Sequence, residues 1–317
     1  LPSRLHYNKS TRENLLMTRV LTYNILLGGK GRIDQLAKMI SFSQADVVGM
    51  VEATNPMVIE TLAQRLAMQY RMSGHGTYER DWQTAVLSRL PIVHMQLHTR
   101  PDIFYRKHLL EVRLQESDGT QLSVFVIHQP AGYRKRGRQI RRTEIQEIIS
   151  IMSERQGSPH LLLGDFNSIA PGDLLHGSDV VQYFLREYER NLEKHPEYRA
   201  RMSRTRLLRD CAIKSILHLL SGTRGGKRLI NHAGQIFGRG GLDLLLQAGY
   251  QDSFRTLHPE KPGFTFPAAC PACRLDYIFV SPELAKRLTA SAVITGLPDI
   301  CGAEASDHLP VYADFSA

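Results

Sequence analysis

The chain has 317 residues, 42% hydrophobic and 22% charged, with a formal net charge of +9. That length allows one large domain or two small ones with a sizeable core, and the basic excess favours anionic partners: nucleic acid, phosphorylated metabolites or an acidic membrane surface. Four cysteines exclude a disulfide-framework protein, and no apolar run reaches the roughly 20 residues of a membrane span.

Residues 1–16 are polar and mixed, and Met17 stands directly before the first strand-like run. The expectation is a disordered extension over 1–16 and an ordered domain over 17–317. No apolar signal-peptide core precedes a small-residue cleavage site, so the protein is expected to be soluble, cytoplasmic and monomeric.

Val20–Asn24 reads as a strand, followed by a loop with Gly28, Gly29 and Gly31. Ile33, Leu36, Ala37 and Ile40 recur at helical spacing and predict a helix over 33–42. Val47–Glu52 repeats the opening pattern, an apolar strand ending in a polar group. Asn55-Pro56 is a helix start, with Asn as cap and Pro in the first turn. Short strands are expected at 84–88, 92–97, 109–114 and 122–128. The last two form a hairpin, and the apolar–charged alternation of 109–114 predicts a solvated face. A helix over 139–155 leads into a strand at 161–166. Residues 172–248 have charged, helical patterning and read as a helical excursion over about 172–240. Strands resume at 274–280, 292–295 and 309–315, with a short helix at 282–289. Strand–helix alternation and hairpins together predict mixed sheets with helices outside.

Polar residues cluster at the strand ends: Asn24, Glu52, His128, Asp165, Asn167, Asp276, Asp307 and His308. A carboxylate or amide at a buried strand end is costly unless satisfied, so these groups call for one another or for a ligand. Oxygen ligands suit a hard cation such as Mg²⁺ or Mn²⁺. Histidine can hold a phosphate oxygen, and a carboxylate can orient or deprotonate water.

The ordered set Thr-Tyr-Asn24, Val-Glu52, Val-Ile-His128, Gly-Asp165-Phe-Asn167, Arg-Leu-Asp276-Tyr and Ser-Asp307-His308 resembles the endonuclease/exonuclease/phosphatase superfamily of DNase I-like and exonuclease III-like phosphoesterases. The resemblance runs from about residue 18 to 316, the helical stretch excepted. It implies an α/β four-layer sandwich in which two mixed β-sheets pack face to face under outer helices. It also implies a Mg²⁺- or Mn²⁺-dependent phosphoester hydrolase, with Glu52 as principal metal ligand, Asn24 beside it and Asp307 completing the metal environment. Asp165 would align or activate the water, and Asn167 would hold the phosphate. His308, oriented by Asp276, would bind the scissile phosphate, and His128 would stabilise or protonate the leaving oxygen. Glu79, Asp81 and Gln83 are candidate partners for His128.

Arg134, Lys135, Arg136, Arg138, Arg141 and Arg142 oppose a helix macrodipole, which favours an anion-binding rim for substrate phosphates over a solvated loop. Further arginines between 199 and 228 suit a lid, a second wall or a decorated surface. Trp82, Tyr105 and Tyr133 are scattered and make no evident stacking groove for single-stranded nucleic acid. No acyl-binding signature is visible, which counts against a lipid phosphodiesterase. Gly28-Gly-Lys-Gly31 lacks the full phosphate-loop pattern, and Cys270, Cys273 and Cys301 are too few for a structural zinc site. The expected activity is phosphodiester hydrolysis, with nucleic acid a possible substrate. Phosphomonoester hydrolysis and non-catalytic phosphate or nucleic-acid binding are the alternatives.

Overall fold

The computed structural model describes residues 17–74, 83–104, 108–131, 135–194 and 204–317. Expectations about residues 1–16, Glu79, Asp81, Trp82, Tyr105, Tyr133, Arg134, Arg199 and Arg201 lie outside the described residues. In chain order the strands are β1 (Met17–Asn24), β2 (Val47–Val51), β3 (Gln69–Met72), β4 (Thr84–Ser88), β5 (Ile92–His98), β6 (Leu109–Gln115), β7 (Gln121–His128), β8 (His160–Asp165), β9 (Gln251–Asp252), β10 (Asp276–Val280), β11 (Leu288–Val293), β12 (Gly296–Leu297), β13 (Ile300–Cys301) and β14 (Val311–Ser316). The α-helices are α1 (Ile33–Ser43), α2 (Pro56–Leu66), α3 (Lys135–Ser153), α4 (Gly177–Lys194), α5 (Arg204–Gly222), α6 (Arg224–Phe237), α7 (Leu242–Gln247), α8 (Ser253–Leu257), α9 (Pro282–Ala285) and α10 (Gly302–Ala305).

Two six-stranded mixed sheets carry the architecture, in the orders β11-β14-β1-β2-β4-β3 and β5-β6-β7-β8-β10-β9. Each contains one parallel pair, β1 with β2 and β7 with β8, and antiparallel neighbours otherwise. The central strands are apolar runs because both their faces are covered. Val47 and Val51 of β2 face the second sheet, while Val48 and Met50 pack under α1 and α2. Leu161 and Leu163 of β8 point between the sheets, and Leu162 packs under α3 and α7. The result is helix, sheet, sheet, helix, as the resemblance implied. Gly49 of β2 makes room for this meeting, since a Cβ there would lie 2.1 Å from Leu163 Cδ1.

The helix start at Asn55-Pro56 is as expected, with the Asn55 side chain accepting from Met57 N. Other local expectations need correction. The alternation in β6 does not mark a solvated face, because Glu111 is fully buried. Its carboxylate meets His98 Nε2 and Arg155 Nε, each at 2.8 Å. Burial opposes its ionisation, but those two partners outweigh burial and hold its pKa low. The helix expected over 282–289 ends at Ala285, and β11 begins at Leu288, earlier than expected. Between β8 and β9, helices α4, α5 and α6 pack on one another. They meet the sandwich through Val180 and Tyr183, which lie against Ile169, Phe266, Cys273 and Leu275.

Gly164 lies within β8. It pairs with Ile127 on one side and Tyr277 on the other, at φ 143°. A Cβ there would lie 1.8 Å from the Ile127 carbonyl oxygen. We expect Gly164→Ala to lower stability by about 3 kcal/mol, from backbone strain and a displaced ladder. Denaturant unfolding monitored by circular dichroism checks this.

Candidate active site

The topology brings the polar strand ends together. Asn24 and Val51 are register partners at the C-terminal ends of parallel strands β1 and β2, and Glu52 follows directly. His128 and Asp165 are register partners at the ends of the other parallel pair. β10 runs antiparallel to β8 and starts where β8 stops, so Asp276 pairs with Asp165. The C-terminal ends of parallel strands open onto a crevice, the usual ligand position in α/β sheets. His308, on the approach to β14, closes the group.

Hydrogen bonds make one network of these residues. Asn24 Nδ2 donates to Glu52 Oε1 and to Asp165 Oδ2, both at 3.1 Å, and so bridges the two sheets. Asn24 Oδ1 accepts from Leu26 N, and Glu52 Oε2 accepts from Leu27 N at 2.7 Å. Asp165 Oδ1 accepts from Asn167 N at 2.8 Å. Asn167 Nδ2 donates to the Gln129 carbonyl at 2.9 Å and lies 3.3 Å from His128 Nε2. The Nε2 atoms of His128 and His308 lie 3.6 and 3.7 Å from the same oxygen, Asp165 Oδ2. His308 Nδ1 bonds Asp276 Oδ2 at 2.8 Å. Ser306 Oγ donates to the Asn24 carbonyl and accepts from His308 N, which joins the first strand to the last. Glu52 and Asn167 have φ values of 56° and 46°, as have their neighbours Leu26 and Leu27 at 51° and 49°. Non-glycine residues adopt this region rarely, and such strain concentrates where a site must hold a specific geometry.

Electrostatics divide the acids and bases. Burial pushes the Asp165 carboxyl up to about 7; His308 opposes the rise and Asp276 adds to it. For His308, burial favours the neutral ring, but the carboxylates of Asp276 and Asp165 outweigh it and hold the pKa well above the usual range. The charged form of His308 is thereby favoured, with Nδ1 on Asp276 and Nε2 facing Asp165. Burial also raises Glu52, against hydrogen bonds from Leu27 N and Asn24, and the charge of Asp307 raises it further. Glu52 and Asp307 thus form a site that gains from a cation. Arg32 supplies part of that charge. Its guanidinium is fastened to the carbonyls of Ile25, Leu26 and Ala305 and feels both acids.

Glu52 and Asp307 offer oxygen donors, a type that suits Mg²⁺ or Mn²⁺, whereas Asn24 turns its Nδ2 to Glu52 and its Oδ1 to Leu26 N. A second group, Asp165, Asp276 and His308, also has ligand atoms close enough for a metal. There, His308 Nδ1 and Asp276 Oδ2 are already engaged with each other.

The basic rim divides. Arg136 and Arg138 are exposed in the first turn of α3, which carries no acidic residue. Arg141 is instead fully buried and donates to the Pro130 carbonyl at 3.0 Å, and Arg142 pairs with Asp243. Both are structural, contrary to the rim reading. Two residues of consequence escaped sequence reasoning. The Phe266 ring centroid lies 4.8 Å from that of His308, the two planes tilted by 42°. Arg274 is fully buried between Asp173 and Asp252, immediately before Leu275 and Asp276. Its place in Arg-Leu-Asp276-Tyr was the available signal.

A family model described as the endonuclease/exonuclease/phosphatase family matches residues 21–308. The chain belongs to that family. No curated protein sequence matches it. Solved structures share the fold across nearly the whole chain. An AP endonuclease from Archaeoglobus fulgidus superposes with TM-score 0.61 at 17% identity, covering 94% of this chain and 99% of its own. A D. rerio TDP2 humanised by 14 mutations gives 0.60 at 16% identity, covering 95% and 99%. The Neisseria 3′ phosphatase NExo, bound to a product DNA hairpin, gives 0.60 at 18% identity, covering 94% and 99%.

The His308–Asp276 pair makes a direct expectation. In Asp276→Asn the neutral amide cannot favour the imidazolium, so the His308 pKa should fall substantially. Nitrogen NMR titration of the ring checks this; an unchanged pKa would assign the elevation to Asp165 alone.

Proposed function

We propose that this protein is a divalent-metal-dependent phosphoester hydrolase that prefers phosphodiesters, nucleic acid among them. One observation carries the reading: Asp165, bonded to Asn24, faces the Nε2 atoms of His128 and His308 at 3.6 and 3.7 Å, with Asp276 holding His308 and Glu52 on the other side of Asn24. His308 Nε2–H and Asn167 Nδ2–H donate to the non-bridging phosphoryl oxygens and stabilise the charge that grows there. Asp165 holds the attacking water and takes its proton as the new O–P bond forms. The old P–O bond breaks on the opposite side, and His128 stabilises or protonates the departing oxygen. A Mg²⁺ or Mn²⁺ held by Glu52, Asn24 and Asp307 would add positive charge beside the phosphoryl group. Arg136 and Arg138, with Arg134, are proposed to attract substrate phosphates. The TDP2 and NExo neighbours solved with DNA, together with the net charge, support nucleic acid as one substrate class. Among the described residues no helix is long and apolar enough to cross a membrane.

Bis-p-nitrophenyl phosphate and p-nitrophenyl phosphate, each with Mg²⁺ or Mn²⁺ and with EDTA, test the activity. Hydrolysis should require metal, and the diester should be cleaved faster. Asp165→Asn and His308→Ala should each lower kcat by about 10³-fold with the fold intact, in the range of lost oxyanion or base function. Near-normal turnover in either variant sinks the mechanism. Glu52→Gln should raise the metal concentration needed for half-maximal rate.

The pH profile carries a sign. Asp165 works as the carboxylate, and its folded pKa is raised, so kcat should climb as pH rises through about 7. A profile flat from pH 5 to 8 would show that another group handles the water.

A further inference from the structure

Helices α4, α5 and α6 pack on one another and leave open apolar grooves between them. One groove, of about 360 Å³, runs between α4 and α5, lined by Leu185, Tyr188, Ile213 and Leu217. A second, of about 330 Å³, runs between α4 and α6, where Val180, Ile230 and Ala233 line it. Val181 and Phe184 line both. Six of the twelve large apolar side chains exposed among the described residues stand on these helices: Phe184, Ile213, Ile216, Leu219, Leu229 and Ile236. Single exposed apolar residues are ordinary, whereas a concentration of them around grooves marks an interaction surface. Leu229 and Ile236, one turn before and one turn after Ala233, extend the α6 edge of the second groove.

The same helices carry an excess of one charge. Residues 177–237 contain twelve Lys and Arg against six Asp and Glu. On α4, Glu187 is answered by Arg190 and Glu189 by Lys214. Helix α6 has no acidic residue, and its Arg224, Lys227 and Arg228 are exposed with no acidic partner among the described residues. Exposed cations elsewhere are answered more often: Lys38 by Asp299, Arg65 by Asp34, Arg100 by Asp102 and Glu147. Cations in the first turns of a helix oppose its macrodipole, so helix stability gives no reason for those of α6.

We propose that this face docks an acidic amphipathic helix supplied by a partner protein. Apolar side chains along one stripe of that helix insert into the two grooves beside Phe184. Carboxylates flanking the stripe meet Arg224, Lys227 and Arg228. Charge argues against a second copy of this chain, because two such faces would set cation against cation. Nucleic acid would use the cations and leave Ile213, Ile216 and Leu219 in water. A lipid surface would cover the exposed apolar side chains but not enter grooves between helices. The docking surface is independent of the hydrolase reading, since no residue lining either groove belongs to the Asp165 network.

A display library of peptides about 18 residues long, roughly five helical turns, tests this. Each peptide carries Leu or Phe at the positions of one helical face and any residue elsewhere. Selection is against the full chain, and peptides that also bind Ile213→Asp are discarded. Ile213 is half exposed, so that substitution buries no charge in a core. The surviving peptides should carry Asp and Glu well in excess of Lys and Arg beside the apolar stripe. By fluorescence anisotropy, the tightest should bind roughly tenfold more weakly when Arg224→Glu and Arg228→Glu are combined. Its charge-reversed form, with Lys at every acidic position, should regain binding to that variant and bind wild type poorly. Circular dichroism confirms that the variants are folded. Failure to enrich any binder, enrichment of neutral or basic sequences, or binding unchanged in the Arg224 and Arg228 variant overturns the proposal. Vesicles of equal parts phosphatidylcholine and phosphatidylglycerol and a single-stranded oligonucleotide are measured alongside. Tighter binding of either than of the peptide, lost in Ile213→Asp, also overturns it and gives the face to that partner.

Discussion

The Asp165 carboxylate, buried where the two sheets meet, is the constraint on which the rest turns. A buried charge without partners costs several kcal/mol. The partners of this one come from both sheets. Asn24 reaches it from β1 of the first sheet, while His128, Asn167 and Asp276 flank it from the second. His308 arrives on the segment entering β14, which returns to the first sheet. Satisfying Asp165 therefore requires the sheets to pack in one relative position. The apolar layer between them sets that position: Val47 and Val51 on one side, Leu161 and Leu163 on the other. Packing brings the polar ends together, and the bonded polar ends fix the packing at the rim.

Behind the site a second buried network performs the same service for Asp276. Arg274 donates to both carboxylate oxygens of Asp173 and to Asp252, and its guanidinium lies 4.5 Å from the Tyr277 ring centroid. Arg255 adds a second cation to Asp173. Burial works against the Arg274 charge, but the surrounding carboxylates more than compensate and raise its pKa. The cluster pins three segments to one another: the loop after Asn167, the start of α8 and the entry to β10. Asp276 follows Arg274 by two residues, so the clamp fixes the carboxylate that orients His308. Replacing Arg274 by a neutral residue would leave Asp173 with Arg255 alone and Asp252 with only its helix-cap donors, so buried charge would lose much of its compensation.

The strand ends were legible because each is an apolar run that stops at a polar residue, a pattern confined to a few adjacent positions. Their convergence followed from the family resemblance, and the parallel pairs show its physical cause. What failed was whatever depends on the far side of an element. Glu111 alternates with apolar neighbours as a solvated residue would, yet His98 and Arg155 cover it. Alternation reports that two faces differ, and not whether the polar one meets water or a partner. Arg141 and Arg142 sit in a charge run beside Arg138, yet the helix turns Arg141 inward and Arg142 toward Asp243. A charge run has no direction until the helix has a phase. Arg32 reads as an ordinary residue before a helix, and only the fold shows it tying Ile25 and Leu26 to Ala305.

The open apolar groove between α4 and α6 is the extreme case, because its walls come from residues as far apart in sequence as Ile169, Val181, Ala233 and Leu275. The groups proposed to act on phosphorus sit on strand ends whose places both sheets determine. Helices α4 to α6 touch that frame through a small apolar cluster around Phe266 and Cys273. Outside that cluster the helices pack mainly on one another. Phe266 links the two parts, since one face of its surroundings belongs to His308 and the other to Tyr183 and Phe184. A change there would disturb both the ring that faces Asp165 and the contact of the helices with the sandwich.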